Sequence, residues 1–420
     1  MSFNLRIGIF SLIVISLYLA GSNFFGLFEA SLLFPGVLSD YIVAGVIIFA
    51  LYTNKGKIKI HRSDICFWPY GLLLAIACVH MILLYRTGQQ SIFLSLATIK
   101  DIVYIFTTYL FIQFQFNTEK IIKCIIILDV IGVCVYAMEM ANGGPIISSE
   151  FHAPNRYETL MGISLWRCWT PGALFKYFTL PYLFIRILKH DTLFGSLLRD
   201  KIFFGIIFLG VILKLGRTEL FSTLIILILV YWGTNRKSLY GSFRKIFKVI
   251  GGLIAISVCL FLFANGIFMR LLEGVVAIFN ITDLDSDTTL MVRVSTLLVR
   301  YSYLLDQGSL LFGIGPYHWQ STLVVDTIDT YGTNRGVFSP DSGYGTLIIR
   351  YGIVGIALYI FGYIKNLIKL KEKNEALYIS TAMYIVGVLV GTFSGYNNLE
   401  YLYIGLLFSL CIKREKKEII

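Results

Sequence analysis

The side chains that could do chemistry are concentrated between residues 266 and 342 of an otherwise apolar chain. This stretch contains the guanidinium groups of Arg293 and Arg300, the imidazole of His318 and the carboxylate of Asp341. Guanidinium groups bind phosphate through paired, charge-assisted hydrogen bonds. Imidazole and carboxylate groups act as general bases towards a hydroxyl. The combination predicts a site that binds an anion and activates a hydroxyl group.

The two arginines belong to one predicted helix. From Thr288 to Leu305 the apolar residues recur at helical spacing, which predicts an amphipathic helix lying on or near a membrane surface. Arg293 and Arg300 are seven residues apart and therefore share a face. That face either presents two cations to one phosphorylated group or is a solvated polar surface.

Each candidate base also has a structural alternative. His318 follows the turn Phe312-Gly313-Ile314-Gly315-Pro316, which lacks the GxGxxG spacing of a dinucleotide site. His318 is either a structural hydrogen-bonding residue or a base. Asp341, together with Ser342, either caps the helix that follows or accepts a proton from a sugar hydroxyl.

The sequence predicts neither a metal site nor a cofactor. Asp283, Asp285 and Asp287 alternate like part of a calcium loop, but the glycine and distal glutamate of an EF-hand are absent. The seven cysteines are scattered, without the spacing of a metal or redox pair.

The composition is that of a polytopic membrane protein. Hydrophobic residues make up 57% of the chain, charged residues 15%, and the mean hydropathy is +0.76. The net charge of +11 does not indicate nucleic-acid binding, because most lysines and arginines lie in short loops between apolar runs.

The apolar runs predict an all-α fold with about twelve transmembrane helices. The predicted spans are 5–22, 36–53, 67–86, 98–116, 119–141, 171–188, 201–216, 218–233, 246–265, 342–364, 376–395 and 398–412. One integral membrane domain follows, in which spans one to nine occupy 1–265, a large loop 266–341, and the last three spans 342–412. A basic tail covers 413–420.

The distribution of basic residues predicts the topology. Basic loops alternate with poorly charged loops along the whole chain, which places both termini in the cytoplasm by the positive-inside rule. The large loop and a smaller loop at 142–170 then lie outside.

A second group of charges is predicted at the outer membrane surface. Spans seven and eight are joined by only a few residues, so Lys214, Arg217 and Glu219 are held close to the membrane. Lys176 in the sixth span is grouped with them. A rigidly held guanidinium suits recognition of a multi-oxygen anion, and the alternative is an arginine that reaches lipid headgroups.

Two further charges, Asp129 and Arg350, are predicted near the middle of the fifth and tenth spans. A charge at that depth costs a few kcal/mol on insertion scales and therefore suggests a function. The alternative is that the two residues pair with each other or with the backbone and only fix the packing.

Three motifs follow one another along the chain. The first is Gly216-Arg217-Thr218-Glu219 at the head of a span. The second is Arg293, an amphipathic helix and then Leu311-Phe312-Gly313-Ile314-Gly315. The third is Asp341-Ser342-Gly343-Tyr344 leading into Arg350-Tyr351-Gly352-Ile353-Val354-Gly355. In this order and at these places in the predicted topology, the motifs resemble the O-antigen polymerase and ligase superfamily.

The resemblance implies a membrane glycosyltransferase of lipopolysaccharide biosynthesis, acting without metal or cofactor. It would join undecaprenyl-diphosphate-linked oligosaccharide repeat units and release undecaprenyl diphosphate. Its other partners would be membrane lipids and a chain-length regulator. Residue by residue, the resemblance extends only to Arg217, Arg293 and Asp341. From residue type and position we predict that the diphosphate and glycan are bound by Arg217, Arg293, Arg300, Arg335, Lys214, Lys176, Tyr317, Trp319 and Tyr344. The predicted catalytic residues are Asp341, His318 and Glu219.

Three other functions remain open. An O-antigen ligase would have the same fold but use lipid A core as the acceptor; ligases carry His-Asn where this chain has Asp341-Ser342. A flippase or other multi-span transporter would also have about twelve spans, although the sequence shows no duplicated halves. The third is a membrane scaffold without catalytic activity.

Overall fold

The computed structural model describes residues 8–22, 38–55, 65–142, 156–160, 163–167, 173–214, 217–234, 288–318, 320–325, 337–338, 343–373, 375–392 and 399–418. Within these ranges the chain is almost entirely helical. The helices are α1 Ile9–Gly21, α2 Leu38–Thr53, α3 Trp68–Arg86, α4 Ile92–Val103, α5 Thr107–Phe111, α6 Thr118–Asn142, α7 Lys176–Leu188, α8 Leu197–Leu213, α9 Arg217–Thr234, α10 Thr288–Asp306, α11 Gly343–Glu372, α12 Ala376–Gly391 and α13 Glu400–Glu418.

Each predicted span overlaps at least one helix, except the span at 246–265, which lies outside the described residues. Four helical segments of the described chain are long and apolar enough to cross a membrane. They are α3, the α4–α5 segment Ile92–Phe111, α6 and the Gly343–Leu370 part of α11. Shorter apolar helices include α1 and α12. The chain is therefore a helical membrane protein by length and composition.

Three predicted boundaries were wrong. Helix α4 begins at Ile92 rather than residue 98, because the Ser91 hydroxyl caps it by accepting a hydrogen bond from the Leu94 N–H. A 3-10 turn at Tyr104–Phe106 then separates α4 from α5. Helix α11 continues to Glu372, and α13 continues to Glu418 through most of the predicted basic tail. Lysine and glutamate are good helix formers, so these helices do not stop where the apolar run stops.

The smaller predicted loop at 142–170 contains a β-hairpin that the sequence did not predict. Strand β1 (Arg156–Leu160) pairs antiparallel with β2 (Ile163–Arg167). The register places Arg156 opposite Arg167 and Leu160 opposite Ile163. Both arginines were predicted as loop residues, and the pairing instead brings their backbones together at the open end of the hairpin.

Helix α11 is broken at Gly352, whose φ of 67° and ψ of -166° are not helical. In an unbroken helix the Ile353 and Val354 N–H groups would bond to the carbonyls of Ile349 and Arg350, four residues earlier. The break frees all four groups, and a buried polar group without a partner is costly, above all inside a membrane.

The Gly-rich turn at 309–315 supplies the missing partners. The Ile314 and Gly315 N–H groups donate to the Ile349 and Arg350 carbonyls, both at 2.9 Å. In return, the Ile353 N–H donates to the Leu310 carbonyl at 3.1 Å, and the Val354 N–H donates to the Leu311 carbonyl at 3.0 Å. Four hydrogen bonds between the turn and α11 replace the two that the break removes.

Glycine is required on both sides of this contact. A Cβ atom at Gly352 would lie 2.3 Å from the Leu311 carbonyl oxygen, and one at Gly313 would lie 2.6 Å from the Arg350 carbonyl carbon. Both residues also have positive φ angles, which side chains disfavour. The second and third sequence motifs therefore fit together as two halves of one backbone contact.

The other described residues of the 266–341 loop pack next to this contact, against α3 and α11. Helix α10, predicted from Thr288 to Leu305, is confirmed as Thr288–Asp306. Its Arg300 side chain is fully buried, and its Nε donates to the Val337 carbonyl at 2.6 Å. A small hydrophobic core joins the loop to α3 and α11, and its buried members are Leu84, Tyr303, Leu304, Tyr317, Leu323, Val324, Val337 and Ile349.

We expect Gly352→Ala to destabilise the protein by about 2 kcal/mol or more, because alanine combines a positive φ with a backbone overlap. The apparent Tm of the detergent-solubilised protein should fall by several degrees. Gly205→Ala is the matched control, because Gly205 lies within α8 with no heavy atom within 4 Å of its added Cβ. Equal Tm values for the two variants would contradict the role assigned to the break.

Candidate functional site

The first charged cluster lies where α7, α8 and α9 meet. One carboxylate oxygen of Glu219 accepts from Lys176 Nζ at 2.5 Å, and the other accepts from Lys214 Nζ at 3.3 Å. The side chains of Lys176 and Lys214 are 10% and 18% exposed, and that of Glu219 is 32% exposed. The structure therefore brings together three residues that the sequence placed in one group.

The ends of the three helices position this cluster. Lys176 is the first residue of α7, Lys214 follows the last residue of α8, and Glu219 lies in the first turn of α9. A cation at a helix C-terminus and an anion at a helix N-terminus are both favourable, which suits Lys214 and Glu219. Lys176 lies at the N-terminus of α7, whose partial positive charge repels its ammonium group. The carboxylate of Glu219 offsets this repulsion.

The cluster brings several positively charged groups to the carboxylate of Glu219. Two ammonium groups share one carboxylate, and the N-termini of α7 and α9 add partial positive charge at the same place. Arg217 begins α9, two residues before Glu219, although its side chain lies outside the described residues. An anion with several oxygens could replace Glu219 as the partner of both lysines.

Asp129 fixes the start of α7 beside this cluster. The carboxylate accepts hydrogen bonds from the Tyr18 hydroxyl at 2.5 Å, the Thr179 hydroxyl at 2.8 Å and the Phe175 N–H at 3.1 Å. It is completely buried. These bonds tie α1, α6 and α7 together, so Asp129 holds Lys176 in place through the backbone of the preceding residue.

Asp129 and Arg350 do not pair with each other. Asp129 has the three partners above, whereas Arg350 lies with its NH1 atom 4.0 Å from Asp101 Oδ2 and its guanidinium carbon 5.1 Å from the centre of the Tyr317 ring. Of the two alternatives, pairing with each other was wrong, whereas pairing with the backbone is confirmed for Asp129 by its bond from the Phe175 N–H.

The second charged region surrounds His318, at the end of the Gly-rich turn. Gln90, between α3 and α4, holds this segment by accepting from the His318 N–H at 2.7 Å and donating to the Pro316 carbonyl at 2.9 Å. The pKa of His318 is lowered, chiefly because the ring is partly removed from water, and also because Lys100 and Arg350 lie nearby. The imidazole is therefore neutral near pH 7.

The hydrogen bonding of His318 limits what it can do. Its Nδ1 accepts from the Gln320 N–H at 3.2 Å. In a neutral imidazole whose Nδ1 is an acceptor, the proton is on Nε2. In this arrangement His318 can donate a hydrogen bond from Nε2. To act as a base it would have to accept a proton on Nδ1, which requires the hydrogen bond from the Gln320 N–H to break.

Two predicted sugar-binding tyrosines have structural contacts. Tyr317 is buried, with its ring 4.6 Å from that of Phe338 and beneath the Arg350 guanidinium. Little of this ring is left for a sugar. Tyr344, in the first turn of α11, donates its hydroxyl to the Leu389 carbonyl at 2.8 Å.

Helix α12 joins Tyr344 to the first cluster, because α12 packs on α7, α9 and α11. At Gly387 it leaves no room for a Cβ, which would lie 2.3 Å from the Tyr177 ring. Tyr177 follows Lys176 directly in α7. The heads of α7 and α11 therefore meet on the same end of α12.

Several predicted residues lie outside the described residues. These are Asp341, Arg335 and Trp319 as a whole, and the side chains of Arg217 and Arg293. Gln90, Lys100 and Asp101 were missed by sequence reasoning. The signals were the dipeptide Gln89-Gln90 between two apolar runs and the charges of Lys100 and Asp101 within a predicted span. Neither signal indicates which loop these residues contact.

We expect acidification to destabilise the fold partly through His318. Folding favours its neutral form, so this contribution is present above the unfolded pKa of about 6.5 and is lost as the pH falls towards the lowered folded value. The apparent Tm should fall as the pH is lowered through about 6.5, and it should fall less in His318→Gln. Identical pH dependence in both proteins would contradict the lowered pKa.

No family model and no curated protein matches this sequence. The functional assignment therefore depends on the charges, the helix ends that hold them and the membrane character of the chain.

Proposed function

We propose that this protein is a membrane polysaccharide polymerase. It transfers a growing glycan from undecaprenyl diphosphate to the next lipid-linked oligosaccharide repeat unit and releases undecaprenyl diphosphate. The observation that carries the proposal is the Lys176–Glu219–Lys214 cluster at the ends of α7, α8 and α9.

The chemistry of the leaving group explains why such a cluster would be useful. Negative charge grows on the diphosphate as the glycosidic bond breaks, and fixed cations stabilise it in the transition state. In the free protein Glu219 balances the two lysines, which lowers the cost of holding two ammonium groups close together. A bound diphosphate would take over this role and leave Glu219 free to accept a hydrogen bond or a proton.

The finer topology is part of the same proposal. The chain would cross the inner membrane about twelve times, with both termini cytoplasmic and the 266–341 loop periplasmic. The order of the helices supports this, because the heads of α7, α9 and α11 and the tails of α8 and α12 meet on one side of the bundle. An acceptor hydroxyl would be activated by Asp341, at the junction of this loop with α11, or by His318.

A transporter is the second candidate, because broken helices surround the substrate in many transporters. The break in α11 favours this reading at first sight. In transporters the freed backbone groups are available to bind the substrate, whereas here the Gly-rich turn occupies four of them at Gly352. The charged cluster also lies at helix ends rather than midway along a helix. Both features favour the enzyme.

We expect Lys176→Ala and Lys214→Ala to lower polymerisation by about tenfold or more, because each removes one diphosphate cation. Lys189→Ala and Lys201→Ala are matched controls, since these exposed lysines lie at the opposite ends of α7 and α8. The measurement is product length in proteoliposomes supplied with a lipid-linked repeat unit. Equal rates in all four variants would contradict the site.

Deletion of the gene distinguishes the enzyme classes. A polymerase defect leaves lipopolysaccharide core with a single repeat, whereas a ligase or flippase defect leaves bare core. We expect the single-repeat band on a gel, with restoration of the ladder by the wild-type gene. An unchanged ladder in the deletion strain would overturn the proposed function.

A further inference from the structure

The Gly-rich turn contacts helices well inside their ends. At 1.5 Å per residue, Gly352 lies about 14 Å along α11 from Gly343. On the other side, His80 Nε2 lies 3.1 Å from the Gly313 carbonyl oxygen, to which the imidazole can donate a hydrogen bond. His80 is six residues from the end of α3, or about 9 Å along its axis. The turn therefore reaches below the ends of both helices.

These depths correspond to positions within the membrane. Helix α3 has 19 residues and spans about 28 Å, close to the roughly 30 Å of a hydrocarbon core. The Gly343–Leu370 segment has 28 residues and is about 42 Å long, so about 6 Å projects at each end if it is centred. Gly352 then still lies below the membrane surface.

The turn meets the conditions for irregular backbone at such a depth. Non-helical segments are tolerated in a membrane only where the protein satisfies their polar groups. The four bonds with α11, the His80 contact and the bonds from Gln90 and Thr98 to the Pro316 carbonyl provide this. The chain approaches the membrane at Asp306 and leaves it towards His318.

Two large apolar side chains at the tip point away from the protein. Leu311 is 59% exposed and Phe312 is 50% exposed. They lie beside Ile353, which is 46% exposed on α11 and whose N–H bonds to Leu310. The same helix exposes Phe361, Ile364 and Ile368 further along. The tip therefore continues the apolar outer surface of a membrane span.

We propose that residues 309–315 form a re-entrant turn and that Leu311 and Phe312 contact lipid acyl chains. We identify the contacting molecule as lipid because the tip lies below the membrane surface and its apolar side chains continue the outer surface of α11. On α10, Leu298, Tyr301 and Leu305 are exposed at spacings of three and four residues, and this stripe suits the shallower headgroup layer. The inference does not depend on the proposed enzyme activity.

The test uses the wild-type protein in vesicles that contain phosphatidylcholine with a diazirine in its acyl chain. After illumination, peptide mass spectrometry maps the sites of carbene insertion. We expect labelling at Leu311–Phe312 and at the reference segment Phe361–Ile364, with none at the exposed residues 306–308. Labelling at the reference segment without labelling at Leu311–Phe312 would overturn the proposal.

A second measurement reports exposure to water. Phe312→Cys and Gln307→Cys are treated in proteoliposomes with a sulfonated maleimide, and the modified peptides are quantified separately from the native cysteines. We expect Phe312→Cys to react at least about tenfold more slowly, because thiolate formation and the charged reagent are both disfavoured in hydrocarbon. Equal rates would place the tip in water and overturn the re-entrant turn.

Discussion

The exchange of backbone hydrogen bonds at Gly352 is the constraint on which the packing of α10, the Gly-rich turn and α11 depends. A break in a membrane helix leaves N–H and carbonyl groups that water cannot reach, so another part of the chain must bind them. Here the turn at 309–315 does so in both directions, donating twice and accepting twice. The turn and the break each supply the backbone hydrogen-bond partners that the other lacks, so each depends on the other to form. The large loop is thereby attached to α11 at a fixed register.

The placement of His318 and Tyr317 follows from that register. Once Gly313 and Gly315 are fixed against α11 and α3, the next residues must pass between Gln90 and Arg350. The opposite end of the loop is held by Arg300, whose bond to Val337 joins α10 to the segment before α11. A guanidinium predicted to bind substrate thus has a buried structural contact, and its role in binding stays a prediction.

The sequence predicted the helices well because a long run of apolar residues is itself the signal for a membrane-spanning helix. The break in α11 was not predictable, since a single glycine in an apolar helix has no local signature and the reason for it lies about 40 residues earlier in the turn.

Lys214 and Glu219 were placed together because a short connection joins α8 to α9. Glu219 bonds to Lys176 only because α7 packs against both helices, which is a property of tertiary structure. Asp341, Arg335 and the Arg217 and Arg293 side chains lie outside the described residues, so their part in the site stays a prediction.

The break also explains how Arg350 is tolerated two turns inside a membrane helix. Tyr351 is the last residue before Gly352, so Arg350 lies at the C-terminus of the first half of α11. A cation is favoured at that end by the helix dipole. Asp101 at 4.0 Å and the Tyr317 ring add further stabilisation. The ring is in place only when the turn is docked, so the same backbone exchange that closes the break also covers the charge beside it. Arg350 is thus best understood as part of the junction between loop and span, rather than as an isolated charge within the bilayer.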